Sequence, residues 1–210
     1  MIALGLALAA AAVADAQSLP PLFDFGKPRR PPSLTFDYHG WKVDASRTAR
    51  ALPADHTVRA IEAQLDLVER QRLPGNVLGL MRQAPVIVVA GAPRGVIYAN
   101  GAVVLDARRL DPRKPAALYG LLQAYAERGL PGGLANGDLE RFRAQAAAAH
   151  VWPKTALMLQ SDGDFFAATA TTYLTGATTR EPYTRAHLKQ TQPQCYQWLA
   201  ALFDHGVARG

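Results

Sequence analysis

The residues best suited to catalysis in this 210-residue chain are few and widely spaced. Histidines four apart on a helix, or two apart on a strand, could bind a metal ion on one face. The five histidines form neither pair: they are His39, His56, His150, His187 and His205. The single cysteine, Cys195, excludes zinc sites that need several cysteines. It lies on an apolar helical stripe, so we expect a buried small side chain rather than a nucleophile.

Serine chemistry and phosphate binding also lack their usual local motifs. No serine stands in a Gly-x-Ser-x-Gly segment, which places the nucleophile of many hydrolases on a sharp turn. The glycine-rich segments 91–95 (GAPRG) and 129–133 (GLPGG) lack the lysine of a phosphate-binding loop and the spacing of a dinucleotide-binding motif. We therefore expect both segments to be turns.

The chain is basic, with a formal net charge of +6 at pH 7. Such a charge suits a nucleic acid or an anionic surface as partner. The basic residues are scattered, however, and the densest groups lie in segments 27–30 and 108–114, where no aromatic side chains alternate with them. We interpret both groups as solvated faces and expect no nucleic-acid partner.

The first residues of the chain predict export. Residues 2–13 form an apolar run that ends in Ala14-Asp15-Ala16, a small-x-small site for signal peptidase. The run is shorter than the roughly 20 apolar residues that span a bilayer, so we expect no stable membrane span after signal cleavage. This pattern predicts a signal peptide over 1–16 and a periplasmic or secreted protein.

Prolines mark the organisation of the rest of the chain. Pro20, Pro21, Pro28, Pro31 and Pro32 are too many for a helix or a central strand, which predicts a proline-rich arm or linker over 17–54. From Asp55 onward the apolar residues recur at helical spacing. We therefore expect one domain over 55–210, which is long enough for a single core.

The first part of this domain is predicted to combine a helix with a small sheet. The helix takes Asp55 as its N-cap and ends at Pro74-Gly75. Segment 85–91 (PVIVVAG) is a short β-branched run that is typical of a strand. Segment 95–106 (GVIYANGAVVLD) has strand-like runs on both sides of Asn100-Gly101, which is a strong hairpin signal.

The second half is predicted to be helical. One helix begins near Pro115 and ends at Gly129, and others cover 138–149 and 164–176 before Pro193 opens the last. The fold class is therefore α+β, in which a small sheet with a β-hairpin is followed by a helical half.

The helix over 115–129 has one apolar face, with Tyr119 and Gln123 on its flank, where we expect them to edge the core. On this interpretation it is an ordinary amphipathic helix. Asp164 would likewise be an ordinary helix-start residue, stabilised by the positive end of the helix dipole.

A further pattern lies in the order of the segments. The succession helix, strand and hairpin is followed by VVLDARRLDPRKPAALYGLLQAYAERGLPGG, DFFAATATTYLTG and QPQCYQWLAALF. This order resembles exported zinc metallopeptidases of the gluzincin, anthrax-lethal-factor-like type. The resemblance implies a zincin-like fold, in which one helix carries His-Glu-x-x-His and a later helix supplies a glutamate as the third zinc ligand. In this chain the motif positions hold Tyr119, Gly120 and Gln123, and the third-ligand position holds Asp164.

These replacements remove the chemistry that the resemblance implies. Tyr119 could bind a metal only as a phenolate, Gln123 offers a weak neutral oxygen, and Gly120 offers no side chain. Asp164 alone cannot hold zinc usefully. We therefore expect a degenerate, inactive site with no confident catalytic or metal-binding residue and no cofactor, and zinc only if the site works after all.

Three functions are compatible with these residues. The first is a pseudo-peptidase that keeps a cleft and binds an extended peptide by strand addition. The second is an interaction module of the cell envelope that binds another protein and is unrelated to zincins; it predicts that Tyr119 and Asp164 lie far apart. The third is an active hydrolase with a rearranged metal site, in which Asp164 acts with a distant histidine.

Overall fold

The computed structural model describes residues 34–204. The expected signal peptide over 1–16 lies outside these residues, as do residues 17–33 of the expected arm and residues 205–210. None of the helices between residues 34 and 204 has the length and apolar character of a membrane span.

The sheet of the described chain has five strands in the order β1-β2-β3-β5-β4. Strands β2 and β3 pair in parallel, as do β3 and β5, whereas the outer pairs β1–β2 and β4–β5 are antiparallel. The strands are β1 (Thr35–Tyr38), β2 (Trp41–Asp44), β3 (Val86–Val89), β4 (Val96–Ala99) and β5 (Ala102–Asp106).

Seven α-helices accompany this sheet in residues 34–204. Two precede β3, and the other five follow β5, which confirms the predicted α+β class with a helical second half. The helices are α1 (Ala54–Glu69), α2 (Gly75–Arg82), α3 (Ala116–Gly129), α4 (Gly137–Ala148), α5 (Asp162–Thr175), α6 (Arg185–Thr191) and α7 (Pro193–Phe203).

The β4–β5 hairpin forms where Asn100-Gly101 predicts it. Asn100 has a φ of 51° and Gly101 a φ of 74°, and both values lie in the left-handed region that a two-residue hairpin turn requires. Ala99 pairs with Ala102 directly beside the turn. The hairpin prediction is confirmed, because asparagine and glycine tolerate this backbone better than other residues.

Helix α3 lies at the centre of the fold. It packs against the sheet through β4 and β5 on one side and against α5 on another. Nine of its residues are buried, from Ala117 and Leu118 to Ala126, so the burial extends beyond a single apolar stripe. Its neighbour α5 is buried over almost its whole length, from Gly163 to Leu174. The two helices therefore form an interior layer. Because their burial is not confined to one face, an amphipathic sequence pattern could not have revealed this layer.

The structure corrects the predicted arm and the predicted first helix. Strands β1 and β2 lie inside the segment 17–54, and Trp41 of β2 is fully buried. The part of the chain from residue 34 onward therefore belongs to the sheet rather than to a linker. Helix α1 begins after Pro53 rather than after Asp55, and Pro74 begins α2 instead of ending α1. A proline before the first turn costs no backbone hydrogen bond, which is why it suits a helix start.

Candidate functional site

Asp164 occupies the first turn of α5 and is held there by Ser161. The backbone N–H of Asp164 donates to Ser161 Oγ at 3.0 Å, and Ser161 Oγ donates to Asp164 Oδ2 at 2.9 Å. The first bond is the N-cap half of a capping box, in which a serine side chain accepts from the N–H three residues on, and the second joins the two side chains. The expectation that Asp164 is a helix-start residue is confirmed.

The other carboxylate oxygen of Asp164 accepts two hydrogen bonds from α3. The Tyr119 hydroxyl donates to Oδ1 at 2.9 Å, and Gln123 Nε2 donates to the same atom at 3.0 Å. Tyr119 and Gln123 are four residues apart, so they lie on one face of the helix. The structure therefore brings together three positions that the zincin resemblance singles out. The contact contradicts the prediction of an unrelated module that Tyr119 and Asp164 lie far apart.

This polar group is largely removed from solvent. Asp164 is 8% exposed and Gln123 is 9% exposed, so Gln123 lies within the core rather than at its edge as expected. Tyr119 is half-buried. Burial, followed by the negative charge of Asp164 and the hydrogen bond to it, raises the pKa of Tyr119 far above its usual value of 10.0. The positive charges of Arg180 and Arg94 oppose this shift only in part. Tyr119 is therefore a neutral hydrogen-bond donor.

The side chains at the three ligand positions do not fit a zinc ion. Zinc sites take imidazole, thiolate or carboxylate ligands. Here Tyr119 keeps its proton, and the amide group of Gln123 donates to the carboxylate instead of offering a second negative charge. Within residues 34–204, no group of three or more His, Cys, Asp or Glu side chains is arranged to hold a metal. Asp164 acts here as the acceptor of a hydrogen-bond network.

Gly120 faces the hairpin rather than open space. A Cβ atom on this residue would lie 2.6 Å from Val103 Cγ1 and 2.9 Å from Val96 Cγ2. Both valine side chains are stiff at χ1 and cannot swing away cheaply. Helix interiors disfavour glycine by about 1 kcal/mol relative to alanine. The close approach of α3 to β4 and β5 explains why glycine is nevertheless present, and it leaves no room for the glutamate of the zincin motif.

Two adjoining cavities open beside this group. The smaller has a volume of about 350 Å³ and lies between β4 and the Ser161–Asp164 turn. The larger has a volume of about 690 Å³ and extends along the start of α3 towards segment 177–181. Arg94, Val96 and Asp164 line both cavities, which therefore adjoin, and we refer to the two together as the cleft.

Strand β4 is an edge of the sheet among the described residues, and it borders this cleft. The backbone N–H of Asp106 donates to the Gly95 carbonyl at 3.0 Å. Hydrogen-bonded pairs alternate along an antiparallel ladder, so Ile97 also pairs towards β5. Val96 and Tyr98 then direct their backbone N–H and C=O groups away from β5. Within residues 34–204 these groups have no backbone partner, so they can pair with an added extended chain.

The comparisons with known proteins add one similarity. No protein-family model matches the sequence, and no curated protein matches it significantly. A solved structure, that of the Pro-Pro endopeptidase PPEP-2 from Paenibacillus alvei, is similar. It shares 16% sequence identity with this chain, with a TM-score of 0.44, and the match covers 75% of this chain and 90% of that chain.

The charge of the larger cavity is a feature that the sequence did not predict. Segment 108–114 is the solvated face that we expected, since Arg109, Arg113 and Lys114 are exposed, but the same three side chains also line the cavity wall. Arg94 and Arg180 lie beside them, and no motif in the sequence distinguishes either residue. These residues come from three separate loops, so no local spacing could have grouped them.

Cys195, by contrast, matches the expectation from its helical stripe. It is 1% exposed, and burial raises the pKa of its thiol to about 12. A buried thiol that keeps its proton is a poor nucleophile. Cys195 therefore belongs to the core.

The pH dependence of the free energy of unfolding tests the hydrogen bond from Tyr119 to Asp164. Tyr119→Phe is expected to lower the free energy of unfolding at pH 7 by about 1–3 kcal/mol, since the lost bond reaches a buried carboxylate. The pKa of Tyr119 is raised in the folded protein, so its contribution is complete below pH 10 and is lost as the pH rises further. Urea unfolding should therefore show a smaller difference in the free energy of unfolding between the natural protein and Tyr119→Phe at pH 11 than at pH 7.

The control for this test is Tyr183→Phe, because Tyr183 is 45% exposed. This variant should change the stability little at either pH. A Tyr119→Phe variant that matched it at pH 7 would contradict the buried hydrogen bond to Asp164.

Proposed function

We propose that this chain is an exported pseudo-peptidase: a protein with a zincin-like arrangement whose catalytic positions are replaced and whose cleft binds an extended peptide. One observation carries the proposal. Tyr119 and Gln123 on α3 converge on Asp164 of α5, beside the open edge of β4. The resemblance implies this convergence for zinc ligands, and no local pattern requires it, since the contacting residues are more than 40 positions apart.

Loss of hydrolysis follows from the chemistry of the replaced positions. Peptide hydrolysis by this route needs a metal-bound water and a general base. Gly120 carries no base, and Tyr119 and Gln123 donate hydrogen bonds to the one carboxylate. The same network supports a stable cleft wall, because each donor is satisfied without a metal.

Peptide binding follows from the edge of β4. An extended peptide that pairs with Val96 and Tyr98 would gain main-chain hydrogen bonds. Its alternate side chains would enter the cavities on either side of Asp164. The expected export of the chain, inferred from residues 2–16, is part of the same proposal and places the peptide outside the cytoplasm.

The proposal is tested with an array of randomised fluorescent nonapeptides and the protein purified without a His-tag. We expect a subset of peptides to bind, and mass spectrometry to find them intact after incubation with or without zinc. Tyr98→Pro should abolish the binding, because it removes the N–H that faces the open edge. Tyr98→Ala is the matched control, since it removes the same side chain but keeps that N–H.

Two results would contradict the proposal. Zinc-dependent cleavage of the bound peptides would favour the rearranged hydrolase instead. Equal peptide binding by Tyr98→Pro and Tyr98→Ala would show that the peptide does not pair with β4.

A further inference from the structure

We propose that the larger cavity is a subsite for an acidic side chain of the bound peptide, so that the protein selects peptides carrying glutamate or aspartate. This inference rests on the proposed function and adds the class of ligand. Three observations support it: the basic charge of the cavity wall, the arginines of that wall that form no ion pair among the described residues, and one buried hydroxyl group.

The wall of the larger cavity is strongly basic. Two acidic residues, Asp164 and Glu181, contribute to it. Against them stand five basic residues, namely Arg94, Arg109, Arg113, Lys114 and Arg180. Charges of one sign around a concave surface reinforce each other's field and attract a ligand of the opposite sign.

Internal pairing neutralises only part of this charge. Arg109 pairs with Asp106 at 3.3 Å, and Lys114 approaches Asp111 at 3.7 Å. The described residues place no carboxylate within ion-pair distance of Arg94, Arg113 or Arg180. Among the described residues, the two carboxylates of the wall form hydrogen bonds with tyrosines and no ion pair with these arginines. Asp164 accepts from Tyr119, and Glu181 accepts from Tyr183 at 3.0 Å. Three arginines therefore remain for an external anion.

Thr171 adds an unused donor to the same wall. The residue is 3% exposed, and its hydroxyl has no hydrogen-bond partner among the described residues. Buried polar groups are nearly always paired, so an orphaned hydroxyl in a cavity wall points to a ligand that completes it. A carboxylate accepts hydrogen bonds from both a hydroxyl and a guanidinium group.

The shape of the site favours an acidic side chain over a nucleic acid. The basic residues surround a cavity of about 690 Å³ that shares Arg94 and Val96 with the smaller cavity along β4. A single-stranded nucleic acid would need exposed aromatic rings for its bases. Tyr119, the aromatic residue of the wall, is half-buried and bonded to Asp164.

The test uses three fluorescein-labelled nonapeptides that share one threonine–valine sequence. At the same two positions they carry glutamate, glutamine or lysine. Fluorescence anisotropy at 50 mM NaCl should show the glutamate peptide binding about ten-fold tighter than the glutamine peptide, and the lysine peptide binding more weakly still. The difference should shrink at 500 mM NaCl, because salt screens exposed charges.

Variants assign this preference to the cavity. Arg113→Gln and Arg180→Gln should each reduce the affinity for the glutamate peptide about three-fold to ten-fold. Thr171→Val, which removes the hydroxyl at nearly constant shape, should reduce it about three-fold without lowering the melting temperature. Lys42→Gln is the matched control, since Lys42 lies exposed on β2, with β3 and β5 between it and β4.

The outcomes separate this inference from the proposed function. Equal affinities for the glutamate and glutamine peptides, both lost in Tyr98→Pro, would overturn the acidic subsite and leave strand addition standing. A glutamate preference that Tyr98→Pro leaves unchanged would support the subsite and contradict strand addition. The subsite would be overturned if all three cavity variants bound the glutamate peptide as well as Lys42→Gln does. It would also be overturned if a single-stranded DNA oligonucleotide displaced the labelled glutamate peptide at a lower concentration than the unlabelled peptide does.

Discussion

Gly120→Glu is expected to lower the free energy of unfolding by about 3 kcal/mol or more. Any side chain at this position places its Cβ within 3 Å of Val103 and Val96, which is closer than carbon atoms normally approach. Overpacking of this kind costs about 1–3 kcal/mol, and the buried carboxylate of a glutamate adds its desolvation. Urea unfolding at pH 7 measures the loss.

Gly120→Ala separates the packing cost from the charge. This variant should still lose about 1–3 kcal/mol, although alanine improves helix propensity. Gly79→Ala in α2 is the matched control, because a Cβ atom at residue 79 would meet nothing within 4 Å. It should be neutral or stabilising by up to about 1 kcal/mol. If the two alanine variants were equally stable, α3 could not lie as close to the hairpin as the structure places it.

The second large effect is the recovery of a zinc site. The triple variant Tyr119→His, Gln123→His and Asp164→Glu is expected to bind one zinc ion per chain, and the natural protein is expected to bind none. Tyr119 and Gln123 already reach the same oxygen of Asp164, so imidazoles in their places would converge on one point. Two histidines at i and i+4 with a carboxylate form a common zinc ligand set.

Metal content measured by mass spectrometry, on protein purified without a His-tag, checks this prediction. Zinc at 100 times its dissociation constant should also stabilise the variant by about 2.7 kcal/mol. Tyr119→His with Gln123→His and Asp164→Ala is the control, since it lacks the third ligand. Zinc in the natural protein would place the ligands elsewhere and favour the rearranged hydrolase. No zinc in any of these proteins would contradict the zincin-like arrangement.

Gly120 is left unchanged in the triple zinc-binding variant for a structural reason. The glutamate that would serve as general base is the change that the fold tolerates least, because the hairpin fills its position. We therefore expect zinc binding and hydrolysis to be separable in this protein. We expect the triple variant to bind zinc and still to lack peptidase activity, since it has no base at residue 120.

Turn and capping residues in the sequence correctly predicted the elements whose ends are fixed by residues next to them in the chain. Asn100-Gly101 identified the hairpin because its turn requires two positive φ angles. Pro115 and Gly129 bounded α3, and Pro193 opened α7, within one residue of the observed helices. Strands β1 and β2 were missed because a four-residue strand has little pattern of its own and is held by pairing with the rest of the sheet.

The sequence by itself determined the α+β class, the hairpin and the absence of the His-Glu-x-x-His residues, since each depends on residue types within a short segment. Only the tertiary structure decided the rest of the site. It placed Asp164 against two residues of α3 that are 41 and 45 positions away, pressed the hairpin onto Gly120 and gathered arginines from separate loops around one cavity. These features arise from contacts between distant segments, and no local spacing of residues encodes such contacts.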